Sequence, residues 1–228
     1  MYKRQKMSHK NSSLRPMAVS SAVIALECAD KHVYIQASQD LSRDLCHHEQ
    51  GTGSLFTKQH PFTGNILTVE MFSDDLQQSA SRLAEEYIAK GYSVCNEFEL
   101  AAEELAEILV MRMQPVTLTV QTYVLLCKPL AGNDYCTVYV GKTMNLTARI
   151  LQHWQGTAAH WTGQHKPIRV EKIIMCGGST AEEVVQHETE FTIEYMRESM
   201  TNHGDEAWSS VRGGKYTALQ MGKPYELR

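Results

Sequence analysis

The sequence predicts an α+β protein made of a tandem pair of small domains, each a short mixed or antiparallel three-stranded sheet with flanking helices. Three observations lead there. Both halves of the 228-residue chain read strand, strand, helix, strand, helix. A shift of 105 positions brings Val33 and Tyr34 onto Val138 and Tyr139, Leu41 onto Leu146, His48 onto His153, Gln50 and Gly51 onto Gln155 and Gly156, Thr57 onto Thr162 and His60 onto His165. A shift of 108 brings Glu86 and Tyr87 onto Glu194 and Tyr195. Matches at nearly one offset, behind one order of elements, point to duplication.

The elements follow from pattern and punctuation. Residues 22–28 and 32–37 are apolar strand-like runs separated by a turn at Ala29 and Asp30. A helix is expected over 40–49, then a glycine-rich break at Gly51 and Gly53, then an extended stretch over 65–72. Residues 74–90 read as a helix that Gly91 ends. Residues 99–113, rich in Ala, Glu and Leu, read as a connector helix limited by Pro115. The order then repeats. Strands are expected over 117–127 and 135–140, with Asn133 and Asp134 in the turn. Asn145 caps a helix running to about Trp154. A strand over 168–175 and a break at Gly177 and Gly178 follow, and a Thr180/Glu183 capping box opens a helix to about Ser199. The implied organisation is a basic flexible tail over 1–17, a first unit over 18–97, a connector over 98–116 and a second unit over 117–228.

Composition narrows the class of function. With 43% hydrophobic and 21% charged residues the chain reads as a soluble globular protein. No apolar run reaches the roughly 20 residues of a membrane span, and the N-terminus lacks the apolar core of a signal peptide. The expectation is an intracellular, cytoplasmic protein with no membrane partner. The six cysteines are scattered, without zinc-ligand spacing, and are expected to be reduced thiols. The net charge is −4, but Lys3, Arg4, Lys6, Lys10 and Arg15 stand in the tail without an acid, so the remainder carries −9. Such a tail suits phosphates or is simply solvated. The acidic body argues against tight coating of DNA and leaves local binding open.

The candidate chemistry lies in the second half. Leu146, Ile150 and Trp154 form an apolar helical stripe, and Arg149 and His153 lie one turn apart beside it. Arginine can fork onto phosphate oxygens and histidine can relay a proton near neutral pH. In the last helix Val184, Glu188, Phe191 and Tyr195 follow the spacing of a buried face, so Glu188 stands where an apolar residue is expected. A carboxylate there needs a partner or a cation. A lone carboxylate, completed by water and phosphate oxygens, suits Mg²⁺. An ion pair with Arg149 or Lys142 would also satisfy it. The matching stripe in the first half is Leu76, Ala80, Leu83 and Tyr87, with Ala80 in the place of Glu188. Tyr123 and Tyr139 place two phenols on the strand pair, and Gly141 marks a close backbone approach.

Residues 122–125, Thr-Tyr-Val-Leu, followed by 138–143, Val-Tyr-Val-Gly-Lys-Thr, resemble the paired motif of the GIY-YIG nuclease superfamily. Asn145, Leu146, Arg149, His153 and a helix carrying Glu188 come next in that family's order. Residues 191–196 and 211–217 resemble a viral and phage-like branch. The resemblance covers about residues 117–220, and its first signature departs from the family by reading Thr-Tyr-Val for Gly-Ile-Tyr.

The resemblance implies an endonuclease that hydrolyses DNA phosphodiesters, double-stranded or structured, with one Mg²⁺ or Mn²⁺. Tyr139 or Tyr123 would activate water, with Lys142 lowering the phenol's pKa. Arg149 would hold the scissile phosphate, and His153 would assist proton transfer or orient a tyrosine. Glu188 would hold the metal. Gly141, Lys142, Arg149 and Arg212 would contact nucleic acid. The first half then reads as a degenerate copy, with Ala22 near Tyr123's place, Gln36 for Gly141, Asp44 for Arg149 and Ala80 for Glu188. A non-catalytic nucleic-acid- or protein-binding module on a nuclease fold is the alternative, and a homodimer is left open.

Overall fold

A computed structural model describes residues 21–71, 75–129, 136–176, 180–201 and 210–213. The basic tail, the turn at Asn133 and Asp134 and the break at Gly177 and Gly178 lie outside them. The elements run β1 (Ala22–Cys28), β2 (His32–Ser38), α1 (Leu41–Glu49), α2 (Leu55–Gln59), β3 (Phe62–Met71), α3 (Leu76–Ala89), β4 (Ser93–Asn96), a 3-10 turn (Glu97–Glu99) and α4 (Ala102–Arg112). The second half follows with β5 (Gln121–Cys127), β6 (Thr137–Thr143), α5 (Leu146–Gln155), α6 (His160–Gln164), β7 (Pro167–Met175), α7 (Ala181–Thr201) and β8 (Ser210–Arg212).

The α+β class stands, and the sheet is larger than expected. Each half contributes four strands rather than three, and they join into one eight-stranded mixed sheet, ordered β4-β2-β1-β3-β7-β5-β6-β8. The fourth strands, β4 and β8, pair parallel to β2 and β6. They hold only four and three residues, too few to show a two-residue period, and the neighbouring strand defines them. The halves join through antiparallel β3 and β7, with Asn65 opposite Ile174. Replacing each strand by its counterpart reverses the order onto itself, which is the mark of a pseudo-twofold arrangement of two copies.

Register corrects one equivalence. Cys28 faces His32 in the first hairpin, and Cys127 faces Thr137 in the second. The second hairpin connection, residues 128–136, is longer than the first, residues 29–31. The first strands therefore match at an offset of 99, and Tyr123 corresponds to Ile24, not Ala22. The strand expected from residue 117 begins at Gln121. The short α2 and α6, matched at 105, hold five residues each, below the length at which a helical period is legible.

One core crosses both halves. Ile24, Leu26, Leu41 and Leu45 pack with Tyr123, Leu125, Leu146, Ile150 and Ile173. On the other face α3 covers Val23, Ala25, Val33 and Ile35, while α7 covers Val124, Leu126, Val138 and Val140. Near the pseudo-axis the first turns of α1 and α5 exchange caps. The Leu41 amide donates to Thr147 Oγ1 at 2.8 Å, and the Leu146 amide donates to Ser42 Oγ at 2.7 Å. Each helix start thereby satisfies an otherwise orphaned N–H of its counterpart. All six cysteines are free, and no described helix is long and apolar enough to cross a membrane.

Candidate functional site

Strand pairing builds the first part of the site. Tyr123 on β5 sits directly opposite Gly141 on β6. A Cβ on Gly141 would run into the hydroxyl end of Tyr123 and the ring of Tyr139. The glycine, read from sequence as a place for a ligand to approach, instead makes room for the phenol of Tyr123. Tyr123 is wholly buried and Tyr139 is 9% exposed.

Helix α5 supplies the next pair. The Asn145 side chain caps its N-terminus by accepting from the Ala148 amide. Arg149 and His153 then lie one turn apart. His153 is fully buried rather than on a solvated edge, and its ring lies 4.8 Å from that of Tyr139. Its Nε2 is 2.7 Å from the Tyr123 hydroxyl and its Nδ1 is 2.7 Å from Thr162 Oγ1. Arg149 Nε donates to the Tyr123 hydroxyl oxygen at 3.3 Å, and Nη1 donates to Gln152 Oε1 at 3.3 Å. Burial, with the Arg149 charge adding to it, pushes His153 down to about 3. The imidazole is therefore neutral at physiological pH.

Burial raises both phenols above the ordinary tyrosine value, and Arg149 opposes that rise. The cation acting on the phenols is thus Arg149, not Lys142 as the sequence reading held. Lys142 turns to the other face of the sheet, where its Nζ lies 3.5 Å from Glu188 Oε2. Only 13% of the Glu188 side chain is exposed. It stands in the buried stripe of α7 as expected, beside Val184 and Tyr195, and its charge reaches both Tyr123 and Tyr139. Glu188 has Lys142 as its partner, and the described residues hold no group of three or more His, Cys, Asp or Glu suited to a metal. A lone hard oxygen donor fits Mg²⁺ or Mn²⁺ only where water and substrate oxygens complete the shell. Arg212 lies beside Tyr139 in the β6–β8 ladder, and its side chain lies outside the described residues.

The first half packs the same frame differently. Ile24 faces Gln36 where Tyr123 faces Gly141, so a large-and-small pair is exchanged for two medium side chains. Gln36 Oε1 takes the place of the Tyr123 hydroxyl, 2.8 Å from His48 Nε2, while His48 Nδ1 is 2.9 Å from Thr57 Oγ1. Asp44 stands at Arg149's position, its carboxyl pushed up by burial.

The pocket is filled by the connector. Arg112 of α4 donates to both Glu97 oxygens, at 3.1 and 2.8 Å, to the Tyr34 hydroxyl at 3.3 Å, to the Gly53 carbonyl at 3.0 Å and to Gln36 Oε1. Tyr34 in turn donates to Glu97 Oε2 at 2.9 Å. Sequence reasoning missed Arg112, Glu97 and Thr162. Thr162 carried a signal, because it matches Thr57 at the same offset that matches the histidines. Comparison with known proteins found no family model, no curated protein and no solved structure that matches the chain.

Proposed function

We propose that the chain is a divalent-metal-dependent endonuclease acting on DNA, with its chemistry in the second half. The observation that carries this reading is the cluster of Tyr123, Tyr139, Arg149 and His153 on one face of the β5–β6 pair, with Glu188 and its partner Lys142 across the sheet and the Glu188 charge acting on both phenols. The first half lacks the counterparts of Arg149 and Glu188 and fills its pocket with an internal ion pair. The order of these residues also resembles the GIY-YIG superfamily.

Each residue has a role that its geometry allows. Arg149 is held by Tyr123 through Nε and by Gln152 through Nη1, and the remaining N–H donors of its guanidinium are the ones that can meet phosphate oxygens and stabilise their developing charge. Tyr139, at the rim, is the phenol placed to take a proton from water. Tyr123 has its hydroxyl committed to Arg149 and His153 and acts as a positioning phenol. His153 holds Tyr123 rather than relaying protons, because it stays neutral far below neutral pH. Glu188 would hold Mg²⁺ or Mn²⁺, which when bound supplies charge stabilisation at the phosphate and favours the ionised phenol. Lys142 balances the carboxylate. One active unit per chain cuts one strand per engagement.

The test is incubation of supercoiled plasmid and of branched DNA with wild type and Glu188→Ala, in Mg²⁺, Mn²⁺ or EDTA. Cleavage by wild type alone, and only with metal, is expected. Equal cleavage by both proteins, or none by wild type on either DNA, contradicts the reading.

A further inference from the structure

We infer that Thr162 is a positioning residue: its hydroxyl fixes the tautomer of His153, and through it the direction in which the Tyr123 hydroxyl points. The positioning role rests on the nuclease reading; the tautomer itself does not. Thr162 Oγ1 has one proton, and it donates to the Ala159 carbonyl at 3.1 Å. The same oxygen lies 2.7 Å from His153 Nδ1. With its own proton committed, Thr162 accepts, so Nδ1 carries the imidazole proton. Nε2 is then a bare acceptor, and the atom 2.7 Å from it is the Tyr123 hydroxyl, which must donate. Both Tyr123 lone pairs thus face away from His153, and one accepts from Arg149 Nε. The chain runs Arg149 to Tyr123 to His153 to Thr162 to Ala159, every donor meeting an acceptor. The guanidinium that would hold phosphate is oriented by a threonine three hydrogen bonds away.

The first half makes the argument specific. His48 and Thr57 repeat the pair, yet the tautomer is reversed. His48 Nε2 faces Gln36 Oε1, which also accepts from Arg112. Turning the amide over would aim its NH₂ at the guanidinium, so the oxygen belongs there. A carbonyl oxygen cannot donate, so His48 carries its proton on Nε2. Thr57 Oγ1 also lies 3.3 Å from the Ser54 carbonyl, the counterpart of the Thr162–Ala159 contact, but with Nε2–H fixed by Gln36 the bare Nδ1 at 2.9 Å is the nearer acceptor and takes the Thr57 proton. Replacing the carbonyl by a phenol is what lets threonine set the tautomer in the second half.

The experiment uses the full chain labelled with ¹⁵N-histidine, reading imidazole nitrogen shifts at neutral pH, together with plasmid cleavage in Mg²⁺. Among the buried histidines of the wild type, His153 should be the Nδ1–H tautomer and be perturbed by Thr162→Val, and His48 the Nε2–H tautomer and be perturbed by Thr57→Val. Thr162→Val should move His153 toward Nε2–H and lower kcat by on the order of tenfold with little change in KM. Thr162→Ser should restore both. Thr57→Val removes a similar buried bond and should leave kcat unchanged, which separates positioning from mere stability. An Nε2–H His153 in wild type, identified by its response to Thr162→Val, would overturn the inference. A tautomer change in Thr162→Val with wild-type kcat would overturn the positioning role. If wild type cleaves nothing, the nuclease reading and the positioning role both fall, while the shifts still decide the tautomer.

Discussion

The two halves place one histidine–threonine pair in one frame and surround it with opposite chemistry. In the second half the pocket holds two phenols and an arginine held by Tyr123 and Gln152, and across the sheet stands a carboxylate with a lysine partner 3.5 Å away. In the first half the same space holds an arginine whose donors are taken by Glu97, Tyr34, Gln36 and the Gly53 carbonyl. Duplication preserves a fold through its core and its His–Thr pair. Whether a copy offers charge to a ligand is decided by a few exchanges: Ile24 and Gln36 for Tyr123 and Gly141, Asp44 for Arg149, and an ion pair brought by the connector. The comparison teaches that one site in two copies of a fold can hold a buried ion pair in one copy and two phenols with an arginine in the other.

The largest expected effect lies in the filled pocket. The Arg112 and Glu97 side chains are only 13% and 16% exposed. Arg112→Met alone leaves Glu97 without its cation and should lower unfolding stability by about 3–5 kcal/mol in urea denaturation. Adding Glu97→Gln should recover most of that loss. If Arg112→Met lost under about 1 kcal/mol, the pair would be no more than a surface contact.

The next test converts the second pocket toward the first. Gly141→Gln forces a side chain into the space of the Tyr123 phenol and should cost about 1–3 kcal/mol by overpacking. Adding Tyr123→Ile restores the pairing seen between Ile24 and Gln36, so stability should return while cleavage stays lost. Recovered cleavage in the double variant would break the comparison.

Acidification should weaken the second half through His153. Its folded pKa of about 3 lies below the ordinary value near 6.5, so between these values the unfolded chain binds the extra proton. Stability is complete above about pH 6.5 and falls as pH drops toward 3. At pH 5 the loss from this group is about 2 kcal/mol, by linkage. His48 is lowered in the same direction and adds to the slope. Urea midpoints at pH 7 and pH 5 for wild type and His153→Gln should differ less in the variant. An equal difference would mean that His153 is not buried neutral. The smallest effect is expected at the exchanged caps: Thr147→Val should cost about 1 kcal/mol. Ser42→Ala should cost more, because Ser42 also donates to Gln121 Oε1 at 2.9 Å.

Much of the frame was legible because it is local. The Asn145 cap and the Thr180/Glu183 box fall where the pattern put them. Glu188 stood out because it interrupts an apolar stripe. What the pattern could not carry is long-range. Strands β4 and β8 are defined by their neighbours. The Ile24 equivalence depends on a hairpin length difference that shifts one strand alone. Arg112 reads as an ordinary basic residue ending a helix, and only the packing of α4 turns it inward onto Gln36 and Tyr34. Lys142 reads as a neighbour of the phenols, but strand alternation sends it to the other face.

The central claim is that chemistry resides in one half, and the most direct measurement compares matched substitutions in the two pockets. Supercoiled plasmid is incubated in Mg²⁺ with wild type, with Arg149→Asp, which copies the first half's Asp44, and with the Glu97→Gln/Arg112→Met pair. The expected result is a loss on the order of 10³-fold for Arg149→Asp, as for removal of a phosphate-stabilising arginine, and a wild-type rate for the first-half pair. Undiminished cleavage by Arg149→Asp, or equal loss in both proteins, would contradict it.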